Sequence, residues 1–199
     1  MTARVEDAAY DAVLLAGGSG RRFGADKTAA LVAGVPLLDR VLAAVVSADR
    51  RIVVGVPRPV RADVIWTRED PPGAGPAAGA VAGLAHVRAP WTVLLAGDLP
   101  FVDGKTVRRL LDSALASGQG ALLVDAGGRR QHLSVVVRSA LLRDRAQQRD
   151  WTDASMRTLL AGLSLAEVAA CGDEARDVDT PGDLPGQAPA GAAVQEEER

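Results

Sequence analysis

The sequence predicts a three-layer α/β fold in which a mostly parallel sheet carries helices on both faces. Continuous apolar runs at residues 12–16 and 92–96 have the composition of strands that are buried on both faces. Segments with apolar residues at helical spacing, such as 37–46 and 107–115, alternate with such runs along the chain. Because strands that alternate with amphipathic helices usually pair in parallel, this order favours a sheet between two helical layers.

The first half of the chain continues this alternation after its first strand. Pro36 is expected to open the helix at residues 37–46, because proline fits the first helical position. The runs at 51–55 (RIVVG) and 64–67 (VIWT) predict short strands rich in β-branched residues. Residues 77–87 are mostly Ala, Gly and Val, which predicts a small-residue helix able to lie close to a sheet.

The second half repeats the pattern after the strand at 92–96 and the helix at 107–115. The runs at 121–124 and 133–137 predict two strands, joined by a turn at Ala126-Gly127-Gly128. Further elements are two helices at 139–148 and 154–162 and a final strand at 163–169. The strands at 12–16 and 92–96 each end in a glycine-containing loop. Open α/β sheets bind ligands beyond the carboxyl ends of their strands, so both loops are expected to face one crevice.

Composition limits the classes of protein that remain. The 199 residues, 48% of them hydrophobic, suffice for one core; we expect one domain over residues 1–185 and a disordered tail over 186–199. A net charge of −2 argues against nucleic-acid and anionic-membrane partners. No apolar run approaches the roughly 18 residues of a membrane span, and the first residues lack a secretion signal. The single cysteine, Cys171, excludes an internal disulfide. A cytoplasmic protein is expected.

Residues 14–27, LLAGGSGRRFGADK, combine four glycines with Arg21, Arg22 and Lys27. Glycines let backbone N–H groups converge on an anion, and arginine and lysine add positive charge, so this segment predicts a phosphate-binding loop. It is not a P-loop, because Asp26 rather than glycine precedes the lysine, and its glycine spacing does not fit the dinucleotide fingerprint. A glycine-rich loop with solvated arginines is the alternative.

The segment LAGGSGRRFGADK resembles the LAGG-x-G-x-R-M-G-x-D-K signature of nucleotidyltransferases, and most resembles that of the molybdenum cofactor guanylyltransferases. Phe23 stands where methionine is usual. Four more segments match in the same order, with Ala77, His132, Asp177 and Asp179 as departures: GPAAG at 75–79, LAGDLPF at 95–101, RQHL at 130–133 and DVDTPGDL at 177–184. The resemblance implies a Rossmann-like sheet of the nucleotide-diphospho-sugar transferase type.

The resemblance also implies a reaction and a set of site residues. The expected activity is Mg²⁺-dependent transfer of GMP from GTP to the phosphate of molybdopterin, with release of pyrophosphate. Arg22, Lys27 and Asp98 are the implied catalytic residues, with Arg22 on the β- and γ-phosphates, Lys27 on the α-phosphate and Asp98 on the metal. The implied nucleotide-binding residues are Leu15, Ala16, Gly17, Gly18, Ser19, Gly20, Arg22, Lys27, Asp70, Gly75 and Asp98. Implied partners are GTP, the molybdenum cofactor and a protein that delivers it.

Several alternatives stay open. Asp98 could instead cap the following helix, Asp179 could either face the metal or cap the last helix, and Asp70 could either read guanine or shape a proline-rich turn. His132 is a candidate for the pterin phosphate or a packing residue. The activity could also be that of a cytidylyltransferase for the same cofactor or of another sugar- or polyol-phosphate nucleotidyltransferase. A nucleotide-binding regulatory domain without catalysis is the alternative from another class.

Overall fold

The computed structural model describes residues 8–17, 31–32 and 34–176. Within them, seven strands form one sheet and two short strands form a hairpin. The strands are β1 (Tyr10–Leu15), β2 (Leu31–Val32), β3 (Val35–Pro36), β4 (Arg50–Val54), β5 (Ile65–Thr67), β6 (Trp91–Ala96), β7 (Gly120–Val124), β8 (Arg130–Arg138) and β9 (Ala166–Ala169). The helices are α1 (Leu37–Ala44), α2 (Pro76–Leu84), α3 (Gly104–Ser117), α4 (Ser139–Ala146) and α5 (Met156–Leu159).

The large sheet has the strand order β5-β4-β1-β6-β8-β7-β9. Strands β5, β4, β1 and β6 pair in parallel, as do β7 and β9, whereas β8 is antiparallel to both of its neighbours. The predicted mostly parallel sheet is therefore confirmed. The antiparallel step arises because the turn at residues 126–128 joins β7 directly to β8, and a short connection cannot make a parallel crossover.

Two apolar cores lie on the two faces of the sheet. Helices α1 and α3 cover one face, and α2, α4 and α5 cover the other. Alternation along β1 shows the division: Ala12 and Leu14 belong to the first core, and Val13 to the second. This arrangement confirms the three-layer prediction.

Helix α2 lies close to the sheet, as its small residues predict. A Cβ on Gly83 would overlap the side chain of Val13 and would come within 3.2 Å of Val54 Cγ2. The side chains of Ala77 and Ala80 on the same helix are fully buried. Larger residues on this face would push α2 away from β1 and β4.

Four local predictions were wrong. Pro36 ends strand β3 and occupies the N-cap of α1 instead of its first helical position, and a hairpin precedes the helix. Val46, at the end of the predicted apolar face, is 69% exposed because α1 stops at Ala44. Helix α5 covers only Met156–Leu159, because Ser155 caps its start and Gly162 adopts a left-handed conformation soon after it. The last strand is likewise shorter than predicted.

None of the helices in the described part of the chain is long and apolar enough to cross a membrane.

Candidate active site

The carboxyl ends of β1 and β6 lie side by side. Leu15 pairs with Ala96 in the register of the two strands, and the Gly97 amide donates to the Leu15 carbonyl at 2.9 Å. A Cβ on Gly97 would lie 3.3 Å from Ala16 Cα, so glycine allows this close approach. The glycine-rich loop after β1 and the aspartate loop after β6 therefore start at the same edge of the sheet, as the sequence predicts.

Most of the predicted phosphate-binding loop lies outside the described residues. Leu15, Ala16 and Gly17 are described, and the Ala16 amide donates to the Val54 carbonyl of β4 at 2.9 Å. The roles of Gly18, Ser19, Gly20, Arg22 and Lys27 stay predictions, as does that of Asp179, because none of these six is among the residues described.

Asp98 follows β6 by two residues and is half-buried. It is not the cap of α3, because Asp103 holds that position: the Thr106 amide donates to the Asp103 carboxylate at 2.9 Å, and the Thr106 side chain completes a capping box. The hydrogen bond from the Thr106 amide is the largest of the contributions that lower the pKa of Asp103. The capping alternative for Asp98 is therefore wrong.

Asp98 lines a cavity of about 770 Å³ at this edge of the sheet. The cavity extends over β8 and reaches α5 and the loop that follows it. Its volume lies in the range of sites that hold small molecules and cofactors. Further lining residues include Leu99, Arg129, Arg130, Gln131, His132, Ser134, Ser155, Met156 and Arg157.

Strand β8 has an irregularity in the cavity wall. Leu122 of β7 pairs with Val135, but the next residue, Leu123, pairs with Gln131. Residues 132–134 therefore form a bulge in β8. Bulges re-aim side chains and are frequent beside active sites. The hydroxyl of Ser134, in this bulge, is buried without a hydrogen-bond partner among the described residues.

His132 lies in the bulge among guanidinium groups. Partial burial lowers its pKa below the ordinary value of 6.5, and the positive charges of Arg130, Arg157 and Arg129 lower it further. The imidazole is therefore neutral at pH 7. Arg130 pairs with Glu167 at 3.3 Å, and both side chains of this pair are exposed.

The loop between β5 and α2 contains the predicted base-binding residues. Asp70 is exposed and precedes a cis peptide bond to Pro71. Gly75 occupies the N-cap of α2 with a φ of 94°, a conformation that side chains rarely adopt. The adjacent Glu69 is less exposed than Asp70, and its Oε1 accepts from the Gly73 amide at 2.9 Å.

Glu69 is a candidate that the sequence analysis missed. Its Oε2 lies 3.8 Å from the position that a Cβ on Gly79 would occupy, and Leu15 Cδ2 lies 3.6 Å from that same position. The Glu69 carboxylate thus lies beside Gly79 of α2, which the Leu15 side chain also approaches. Two adjacent acids in a turn give no sequence signal for which of them faces inward.

The described residues contain no group of three or more His, Cys, Asp or Glu side chains that could hold a metal by themselves. Mg²⁺ does not require such a group, because it is commonly bound by one or two carboxylates together with phosphate oxygens and water. Asp98 fits such a role, since it is half-buried and lines the cavity.

The ends of β1 and β6 lie at the edge where open α/β sheets bind ligands, and the family to which the chain belongs consists of nucleotidyltransferases. The family model of the MobA-like NTP transferase domain matches residues 12–169, and the chain belongs to that family. The expected resemblance is thereby confirmed.

Individual relatives agree with this assignment. A Pseudomonas putida protein named molybdenum cofactor guanylyltransferase is 33% identical over 166 residues, which cover 78% of this chain and 86% of that protein. A Deinococcus radiodurans protein named probable molybdenum cofactor guanylyltransferase is 38% identical over 90 residues, covering 45% of this chain and about half (47%) of that protein. The solved molybdopterin-guanine dinucleotide biosynthesis protein A of Archaeoglobus fulgidus has the same fold, with a TM-score of 0.65, 20% identity and coverage of 87% and 94%.

Proposed function

We propose that this protein transfers GMP from GTP to the phosphate of molybdopterin and releases pyrophosphate. The observation that carries the proposal is the hydrogen bond between Gly97 and Leu15, which holds the ends of β1 and β6 side by side at the edge of the sheet where Asp98 lines the cavity. Membership in the MobA-like family and the name of the P. putida relative support the choice of substrates. We place the reaction in the cytoplasm, with a further protein delivering the cofactor.

The chemistry requires positioning more than covalent participation by the protein. An oxygen of the molybdopterin phosphate attacks the α-phosphorus and forms a new P–O bond. The bond from that phosphorus to the α,β-bridging oxygen breaks, and its electron pair leaves with pyrophosphate. A phosphate monoester is already largely deprotonated at pH 7, so no general base is needed. The protein holds the two phosphates in line and offsets their negative charge.

The loop after β1 is proposed to hold the triphosphate. Gly17, Gly18, Ser19 and Gly20 offer backbone amides, Arg22 binds the β- and γ-phosphates, and Lys27 binds the α-phosphate. Asp98 is proposed to hold Mg²⁺, with Asp179 as a second candidate. The bound ion would neutralise charge on the phosphates as pyrophosphate leaves.

Guanine selection is proposed for the loop that precedes α2. A carboxylate can accept hydrogen bonds from both N1 and N2 of guanine, a pattern that cytosine does not offer. Asp70 is the residue that the resemblance implies, but Glu69 lies beside Gly79 of α2 and is less exposed. Glu69→Gln and Asp70→Asn should separate these two candidates.

The base is tested by thermal shift with Mg²⁺ and each of GTP, CTP, UTP and ATP. Stabilisation by GTP is expected, and its loss in only one of the two variants identifies the acid that reads the base. Stabilisation by CTP alone would overturn the guanine assignment in favour of a cytidylyltransferase.

Catalysis is tested by pyrophosphate release from GTP in the presence of molybdopterin. Asp98→Asn should lower turnover by about 100-fold or more, because it removes the charge that holds the metal. Asp112→Asn, an exposed acid on α3, is the matched control and should retain turnover. Unchanged release in Asp98→Asn would contradict the metal assignment. No release from the unmodified protein would favour the non-catalytic regulatory domain.

A further inference from the structure

We infer that Arg157, Arg130 and His132 bind the phosphate monoester of the acceptor substrate in the cavity that Asp98 also lines. This inference rests on the proposed function, since it takes the acceptor to be a phosphate monoester. It adds the residues that hold that group, which come from two elements distant in sequence, the bulged start of β8 and the helix α5.

The strand order separates the two substrates. In the sheet, β6 lies between β1 and β8. The loop after β1 is proposed to hold the donor triphosphate, and Asp98 follows β6 in the middle. From Asp98 the cavity extends away from β1, over β8 and towards α5. The acceptor is therefore expected over β8, so that its phosphate would reach the α-phosphorus from the side of β6 that faces away from β1.

The side chains on that far side are cationic and incompletely neutralised. Among the described residues, Arg130 forms an ion pair with Glu167 alone, at 3.3 Å and at an exposed position, where such pairs contribute little. No carboxylate among the described residues forms an ion pair with Arg157. Clustered cations with few acidic partners repel one another, and a dianionic phosphate would relieve that repulsion.

The local chemistry also fits a phosphate monoester. Arginine presents forked N–H donors that match two phosphate oxygens at once. His132 lies within the field of Arg130 and Arg157, is half-buried and is neutral at pH 7, so it can donate one further hydrogen bond without adding charge to the free protein. A bulge at residues 132–134 places this imidazole in the cavity wall.

Steady-state kinetics of pyrophosphate release test the assignment. Arg157→Gln is expected to raise the KM for molybdopterin about tenfold or more, the loss typical of one charged contact, while the KM for GTP changes less than about twofold. Arg130→Gln should act in the same direction. Arg108→Gln, an exposed arginine on α3, is the matched control and should change neither constant. An equal rise in both KM values, or a change in neither, would overturn the inference.

A binding measurement that needs no turnover separates this inference from the proposed function. The chain has two histidines, His132 and His86, so the imidazole NMR signals can be assigned with one substitution. Inorganic phosphate should shift the His132 signals and leave those of His86 in place, and Arg157→Gln should weaken the response. Equal shifts of both histidines, or none, would overturn the inference. A selective His132 shift in a protein that fails to use GTP would support the anion site and contradict the proposed function alone.

Discussion

Two groups of charged side chains in this molecule differ in how completely they are paired. On the α3 side, Arg109 donates to both oxygens of Glu174, at 2.6 and 3.3 Å, to the Ala169 carbonyl at 3.3 Å and to Cys171 Sγ at 2.8 Å. In the cavity, Arg157 has no carboxylate partner among the described residues, and Arg130 has one exposed partner.

This contrast distinguishes structural arginines from those available to a ligand. Glu174 is buried and also accepts from the Thr106 hydroxyl at 2.7 Å and from the Cys171 amide at 2.7 Å. The hydrogen bonds that Arg109 donates to Glu174 raise the pKa of its guanidinium. The charged groups around Arg109 therefore pair with one another and fix the chain after β9 against α3, whereas among the described residues the cavity arginines Arg130 and Arg157 have only the exposed Glu167 as an ion-pair partner.

The largest expected effect on stability comes from removing Glu174, the carboxylate that Arg109 and Thr106 share. Glu174→Ala should lower the free energy of unfolding by about 3 kcal/mol, because it leaves the Cys171 amide and the Arg109 charge without their partner. Urea denaturation measures the loss. Glu167→Ala, which removes the exposed partner of Arg130, is the control and should cost less than about 1 kcal/mol. Equal losses of unfolding free energy in the two variants would contradict the distinction between structural arginines and those available to a ligand.

A second prediction concerns the pH dependence of the same cluster. Burial acts to raise the pKa of Glu174, but hydrogen bonds from Cys171, Thr106 and Arg109 outweigh it and hold the pKa below the ordinary value of 4.5. The ionised carboxylate therefore stabilises the fold fully above about pH 4.5, and this contribution is lost as the pH falls through the lowered value. The stability difference between the unmodified protein and Glu174→Gln should shrink from neutral pH to about pH 3.5. A stability difference that does not change with pH would contradict the lowered pKa of Glu174.

Much of the fold could be predicted from the sequence because its signals are local. Buried strands such as β1 and β6 are continuous apolar runs, and α3 shows helical periodicity. The hairpin of β2 and β3 could not be predicted, since two-residue strands carry no periodicity. The length of α5 depended on a cap at Ser155 and a left-handed Gly162, which act only once the surrounding chain has packed.

The residues of the candidate site likewise differ in whether the sequence alone could predict them. Asp98 could be predicted because it follows a buried strand in a recognisable motif, and the structure removes its capping alternative by placing Asp103 in that role. The proposed role of Arg157 could not be predicted from the sequence, because α5 and β8 come together only in the tertiary fold. Glu69 was missed for a related reason: its sequence neighbour Asp70 has the same charge, and only packing against α2 distinguishes them.

A smaller effect is expected at the orphaned hydroxyl in the cavity wall. Ser134→Ala should leave stability unchanged or raise it by up to about 1 kcal/mol, because a buried hydroxyl that has no partner among the described residues contributes no hydrogen bond that the alanine would lose. Thermal denaturation measures the change. A clear destabilisation would mean that the hydroxyl makes a hydrogen bond in the folded protein, with a buried water or with a part of the chain outside the described residues.

The smallest effect, and the sharpest test of the comparison, is expected for the stability of Arg157→Gln. A structural arginine would cost free energy when replaced, as Arg109 should, but Arg157 lies exposed beside Arg130 and His132. Its replacement should change the free energy of unfolding by no more than about 0.5 kcal/mol, and towards stabilisation, because it removes repulsion between cations. Since salt screens such repulsion, any gain should diminish as ionic strength rises. A loss above about 1 kcal/mol that salt does not alter would mean that Arg157 supports the fold, and the contrast between the two groups would then fail.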